Sequence, residues 1–259
     1  MASGHGSITP LEGLVWSCDI VFYELGRRLG PDLLAKYSSL FGLGERTGID
    51  LPQEKKGTIP TASWKEKYFK EHWYDGDSIN YGIGQGWVQV TPLQMAVIYA
   101  AIATGKIVKP YVVEQIKDRS GAVVYRAQPS VGKKLDIAPA YLALIRDSLH
   151  SVIERATGVA VRAAEIPAAG KTGTAQATGL PHAWFVCYAP YDDPQISIAA
   201  FVEHGAHGDQ ASAYVARDIL KWYRENRLKK TYDLPHEGQY ILHNGRIKTP
   251  YGRRPANPD

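Results

Sequence analysis

The sequence predicts an α+β fold, an antiparallel sheet flanked by helices. Three observations carry that expectation. Helix-periodic stretches dominate the first 104 residues, three strands then follow one another between 169 and 204, and a last helix closes the body. No regular strand-helix alternation is present, so a parallel sheet is excluded. With 259 residues, 44% of them apolar, the chain can bury a sizeable core without disulfides or a structural metal.

Thr9-Pro10-Leu11-Glu12 reads as a capping box with proline at the first helical position, opening a helix toward Trp16. Ile20, Val21, Leu25 and Leu29 continue with helical spacing to Gly30, just before Pro31. A third helix is expected from Asp32 to Phe41, stopped by Gly42. Residues 42–62, with four glycines and two prolines, read as a long surface connection. Ser63-Trp64-Lys65-Glu66 reads as another capping box, opening a short aromatic helix to about Trp73, and Asp75 to Gly86 reads as loop. Thr91-Pro92-Leu93-Gln94 repeats the capping signal before the apolar run Met95 to Ala103, with Gly105 as the stop.

Alternation from Ile107 to Ala127 around Asp118-Arg119-Ser120-Gly121 predicts a hairpin. Helical spacing returns over 138–156, with Leu142, Ile145, Leu149, Val152 and Ile153 on one face. The three strands are Ala169 to Ala177, His182 to Ala189 and Gln195 to His204, the last two joined through Pro190-Tyr191-Asp192-Asp193-Pro194. Gln210 to about Arg224 is the last helix. Residues 226–259, with four prolines and three glycines, form an extension with one short strand at Tyr240 to Leu242.

Charge and cysteine usage narrow the function. Residues 221–259 hold nine basic and four acidic residues, so the rest of the chain carries about −1. A basic excess confined to a tail argues against nucleic acid as a partner of the folded body. Cys18 and Cys187 each sit in an apolar stretch and read as buried thiols, with no metal site implied. The longest apolar run is nine residues, well short of the roughly 18 that a bilayer requires, and the Met1-Ala2-Ser3 start reads as neither signal nor transit peptide.

Gly170-Lys171-Thr172-Gly173-Thr174 is the most informative segment. A lysine and two hydroxyls at the head of a strand offer charge and donors to an anionic group, and Gly173, lacking a Cβ, lets a substrate backbone approach the strand edge. The plain alternative is a strand start with a solvated lysine. Ser17-Cys18-Asp19 falls between two helices, where serine and aspartate also serve as caps. Together with Lys171, the pair Ser17 and Asp19 supplies a hydroxyl and a carboxylate able to relay protons beside an ammonium group. Gly82-Ile83-Gly84-Gln85-Gly86 lacks the preceding strand and following Lys-Ser of a nucleotide loop. Glu203-His204-Gly205-Ala206-His207-Gly208-Asp209 has a metal-like composition but reads as a glycine-rich turn from strand to helix. Most of the aromatics among Phe22, Tyr23, Trp64, Tyr68, Phe69, Trp73, Tyr74 and Trp87 read as core or loop packing, with a groove for glycan or peptide stems as the alternative for some.

The sequence resembles the penicillin-binding transpeptidase family, in its monofunctional, class B elongation- or division-type branch. Four stretches carry the resemblance in the family's order: His5-Gly6 through Tyr23, Gly82 to Gly86 with Thr91-Pro92-Leu93-Gln94, Gly170 to Gln176, and His182-Ala183-Trp184-Phe185-Val186. They span about residues 5 to 224, and the Gly-Gln-Gly and Thr-Pro-Leu-Gln segment is similar to transpeptidases rather than β-lactamases. The resemblance implies a fold of the penicillin-binding and serine β-lactamase type, here N-terminally incomplete, without cofactor or metal. Residues 1–225 are expected to be the C-terminal portion of the transpeptidase domain and 226–259 a basic extension.

By the same resemblance Ser17, Asp19 and Lys171 are catalytic. Ser17 passes the proton between the lysine and the leaving or incoming amine, and Asp19 stands where the family more often has asparagine. Thr172, Gly173, Thr174 and Gln176 are substrate-binding: Lys171 with the hydroxyls of Thr172 and Thr174 holds a terminal carboxylate, and the Thr174 N–H is one oxyanion donor. The implied partners are peptidoglycan stem peptides, β-lactams, and membrane proteins of cell elongation or division, at the extracytoplasmic face of the bacterial cytoplasmic membrane. The family's nucleophile belongs to a Ser-x-x-Lys motif a few tens of residues before Ser17, where this sequence has sixteen residues without one. The one such string, Ser130-Val131-Gly132-Lys133, falls on an expected exposed connection and reads as chance. The expectation is therefore the downstream part of a D,D-transpeptidase that forms no stable acyl-enzyme alone. The alternative is a non-catalytic module binding peptide carboxylates or a cell-wall partner.

Overall fold

The computed structural model describes residues 4–128, 132–209, 211–232, 241–243 and 246–248. The chain divides into two units, Met1–Cys18 with Ala143–Asp259, and Asp19–Leu142.

In the first unit, Thr9 caps helix α1 (Pro10–Trp16) by accepting from the Glu12 N–H. The Glu12 carboxylate goes elsewhere, accepting from Trp16 Nε1 at 3.1 Å and from Arg155 Nη2 at 2.9 Å. Arg155 ends α6 (Pro139–Arg155) and also lies over the Trp16 ring, so α1 is pinned to the last turn of α6. After a 3₁₀ turn (Val159–Ala164) come β3 (Ala169–Ala175), β4 (His182–Ala189) and β5 (Ile196–Val202), an antiparallel sheet in the order β3-β4-β5. Helix α7 (Ser212–Tyr223) follows and continues as a π-helical turn (Arg224–Leu228).

The core explains why these segments fold as they do. Phe185, Cys187 and Ala189 from β4, with Ile198 and Ala200 from β5, meet Ala213, Ala216 and Leu220 of α7 and Val161 and Ala164 of the 3₁₀ turn. Small residues on the inner face of α7 let it lie close to the sheet, while Tyr214, Ile219 and Trp222 face out. Val152 and Ile153 of α6 are fully buried, as the helical spacing predicts. Both thiols are free and buried, and burial pushes Cys187 up to about 12, so it packs as a small apolar group.

In the second unit, α2 (Asp19–Leu40) is kinked at Gly30, whose φ of 69° and ψ of 172° are non-helical, where the sequence predicts two helices meeting. Two expectations are corrected. Helix α3 (Ala62–Phe69) is capped by Thr61, whose hydroxyl accepts from the Trp64 N–H, and Lys70 ends it in a left-handed conformation well before Trp73. The predicted loop from Asp75 contains helix α4 (Asp75–Gly82). Tertiary contacts override its low propensity: Gly26 and Gly82 bring α2 and α4 together, and Asp77 accepts from the Tyr74 N–H and from buried Lys65. Helix α5 (Pro92–Thr104) has the predicted reciprocal capping box of Thr91 and Gln94 and ends at Gly105. The buried Gln94 amide also donates to Glu45 O and Lys56 O, tying down the 42–62 connection.

The hairpin is shorter than the alternation suggests, β1 (Gln115–Lys117) and β2 (Val123–Arg126), with every residue exposed. Without a partner layer, side-chain alternation does not extend the ladder. In the extension, β6 (Ile241–His243) pairs antiparallel with β7 (Arg246–Lys248), one strand more than expected; Tyr240 lies outside the described residues, as do Ser130 and Val131.

Candidate active site

The site lies within the first unit, where the end of α1 meets the start of β3. Ser17 is the C-cap of α1 in a left-handed conformation, φ 55° and ψ 47°, which turns its side chain off the helix end. Lys171 is the third residue of β3, half-buried. Its Nζ donates to Ser17 Oγ at 2.6 Å, bridging 154 residues of sequence, and also contacts Thr172 O at 3.2 Å and Thr172 Oγ1 at 3.4 Å. The sequence-predicted hydroxyl and ammonium are thus in direct contact. Because Ser17 Oγ accepts from an ammonium, its own O–H points as a donor toward any group brought beside it.

Strand β3 is an edge of the described sheet, pairing with β4 on one side. Gly170 is required at its start: a Cβ there would stand 2.7 Å from Cys187 Cβ and from Val186 O. Gly173 faces Trp184, while Thr174 and, just past the strand, Gln176 are exposed. Asp19 opens α2 in the second unit, with its side chain exposed. Lys171, Thr172, Gly173 and Thr174 therefore line one strand beside Ser17, an arrangement in which one positive charge and the Ser17 and Thr174 hydroxyls are able to receive a carboxylate, while the Thr172 O–H is given to Thr157.

Two participants escape sequence reasoning. Thr157, after the end of α6, accepts from Thr172 Oγ1 at 2.7 Å and so fixes the Thr172 rotamer. Its position before Gly158 signals only a helix end. The turn 203–209, expected from the sequence as a glycine-rich turn near the site, lies against the strand itself, a contact partner the sequence does not name: a Cβ at Gly208 would stand 2.6 Å from Gly173 O and 2.4 Å from Trp184 O. In that turn the His204 N–H donates to His182 Nδ1 at 3.0 Å and His204 Nδ1 lies 2.7 Å from Leu180 O; among the described residues no group of three or more His, Cys, Asp or Glu is placed to hold a metal ion.

Comparison with known proteins identifies the family. Residues 2–221 match the penicillin binding protein transpeptidase domain. The peptidoglycan D,D-transpeptidase MrdA of Escherichia coli K12 is 35% identical over 239 residues, covering 84% of this chain and 37% of the relative. Pseudomonas aeruginosa PBP2, solved in complex with WCK 5153, superposes with a TM-score of 0.77 at 31% identity, over 88% of this chain and 50% of that one. Helicobacter pylori PBP2, solved in complex with MreC, gives 0.75 at 30% identity, over 87% and 42%. The chain thus spans little more than a third of the length of the curated relative. With the motif order, the α+β architecture and a match over most of its length in agreement, the chain belongs to the penicillin-binding protein transpeptidase domain family.

Proposed function

We propose that this chain is the substrate-gripping, C-terminal portion of a peptidoglycan D,D-transpeptidase. Acyl transfer from D-Ala-D-Ala stem peptides, with β-lactams as suicide substrates, would take place at an attacking serine outside these 259 residues. The observation that supports this reading best is the 2.6 Å contact between Lys171 Nζ and Ser17 Oγ in a member of this family. A hydroxyl held by an ammonium passes a proton to a departing amine and takes one back from an incoming one with little reorganisation. Lys171 with the Thr172 and Thr174 hydroxyls receives the terminal carboxylate, Thr172 giving up its bond to Thr157 to do so, Gly173 leaves room for the peptide backbone, and Gln176 extends that surface. The Thr174 N–H serves as an oxyanion donor, an interaction that contributes roughly 3–4 kcal/mol in other acyl-transfer enzymes. An aspartate at position 19, where the family more often has asparagine, calls for a lysine or a backbone N–H as its partner. In this reading residues 1–225 belong to the transpeptidase domain and 226–259 extend it. The whole protein acts at the extracytoplasmic face of the cytoplasmic membrane with elongation or division proteins.

A serine attacks an amide only with a positioned base and companion donors, and Ser-x-x-Lys occurs here only at 130–133. That observation favours a second reading, a non-catalytic module that holds peptide carboxylates. Fusing the chain to an upstream segment bearing Ser-x-x-Lys and labelling with a fluorescent penicillin separates them. The first reading predicts labelling of the fusion, none of the chain alone, and a rate lowered about 100-fold or more by Lys171→Ala. An unlabelled fusion leaves only the second.

A further inference from the structure

The turn between β5 and α7 is backbone-strained: His204 and Ala206, neither of them glycine, have φ of 52° and 61°. L residues hold such conformations only where surrounding bonds impose them. Here the bonds come from the stretch leading into β4. Ala206 N–H donates to Pro181 O at 3.0 Å, His204 Nδ1 lies 2.7 Å from Leu180 O, and His204 N–H donates to His182 Nδ1 at 3.0 Å. A carbonyl only accepts, so His204 carries a proton on Nδ1. A ring nitrogen that accepts from an amide carries none, so the His182 proton sits on Nε2. The two rings, 4.9 Å apart, are oriented by the backbone groups they meet, His204 as donor and His182 as acceptor, and Phe201 packs edge-on against His182 at 5.2 Å.

Four residues after His204, the same turn lays the Gly208 backbone on Gly173 and Trp184, where no side chain fits. Gly208 O is in turn capped by Ser212 Oγ and the Ala213 N–H at the start of α7. The turn is thus clamped at one end by His182 and rests at the other on the middle of the Lys-Thr-Gly strand.

We propose that His182 is a positioning residue for that strand: its unprotonated Nδ1 fixes His204, and through residues 204–208 it keeps the Gly173 and Thr174 backbone aligned for a peptide carboxylate. The ligand in this statement rests on the transpeptidase reading, whereas the clamp itself does not.

The test compares the 259-residue chain with His182→Asn, whose amide oxygen can stand near the Nδ1 position, and His182→Phe, which keeps a ring against Phe201 but has no acceptor. NMR reads the exchange rate of the His204 amide and the resonances of the Gly173 and Thr174 amides, and titration reads the affinity for an N-acyl-D-Ala-D-Ala peptide. His182→Phe is expected to speed His204 exchange about tenfold or more, to move both strand resonances and to weaken the peptide about tenfold, while His182→Asn stays within about threefold of the native chain. His182→Leu replaces the phenylalanine if that variant does not fold. Unchanged His204 exchange in the acceptor-free variant, or identical behaviour of the asparagine and acceptor-free variants, overturns the proposal. A native chain that binds no peptide contradicts the transpeptidase reading instead, and the exchange and resonance data still decide the clamp.

Discussion

Ser17 pays for its position: a residue with a Cβ in the left-handed region costs about 1–2 kcal/mol, and glycine removes that cost while loosening the unfolded chain. Ser17→Gly is therefore expected to leave the unfolding free energy unchanged or up to about 1 kcal/mol higher, and Ser17→Val to lower it by about 1–2 kcal/mol. Both abolish the hydroxyl that Lys171 holds, so stability and peptide binding part company in the glycine variant. Denaturant titration beside a binding isotherm checks this, and a destabilised glycine variant would contradict it. The conformation itself was not legible in the sequence, where Ser17 looks like any polar residue between helices. Ser-x-Asp alone is a weak signal, and only the resemblance that joins it to Lys-Thr-Gly leads to expecting Ser17 and Lys171 in one pocket; the structure sets them 2.6 Å apart.

At the scale of elements, the site depends on α1 being docked to α6. Arg155→Met keeps the aliphatic stem but removes both bonds to Glu12, an expected loss of about 1.5–3 kcal/mol by denaturant unfolding. In the second unit, α2 and α4 touch through glycine. A Cβ at Gly26 would stand 2.3 Å from Ser78 O, so Gly26→Ala should cost about 1–3 kcal/mol through overpacking. That contact helps explain the missed helix: Asp75 to Gly82 carries two glycines and four residues that favour caps and turns, and the packing on Gly26 and the Asp77 bonds to the Tyr74 N–H and Lys65 are not visible locally. By contrast the starts of α1 and α5 and the stop of α5 at Gly105 were legible, because a Thr-Pro cap and, for α5, a terminal glycine mark boundaries locally. The exposed hairpin is anchored by Asp50, whose carboxylate accepts from the Val113 and Val112 N–H groups and is held below the usual carboxylate range by those bonds. A lowered folded pKa means that this anchor is present above the unfolded value of about 3.9 and is lost as pH falls through the folded one. The Val112 and Val113 amide resonances should titrate together with a midpoint below about 3.9, and a midpoint above it would contradict the assignment.

For the whole molecule, the three-stranded order β3-β4-β5 was legible because short connections force sequential strands to pair. The 203–209 turn lying on Gly173 was not, since nothing local encodes a contact between a glycine at 208 and a strand 35 residues earlier. What the fold assembles is an edge strand carrying a lysine, two threonines and a glycine, with a serine hydroxyl fixed beside the lysine. The central claim is that this surface grips a carboxylate. Titrating the chain with an N-acyl-D-Ala-D-Ala peptide and with its C-terminally amidated counterpart tests it most directly. The account predicts saturable binding of the free acid, weakened about tenfold or more by amidation and equally by Lys171→Ala. Equal affinity for acid and amide, or an affinity indifferent to Lys171, would contradict it.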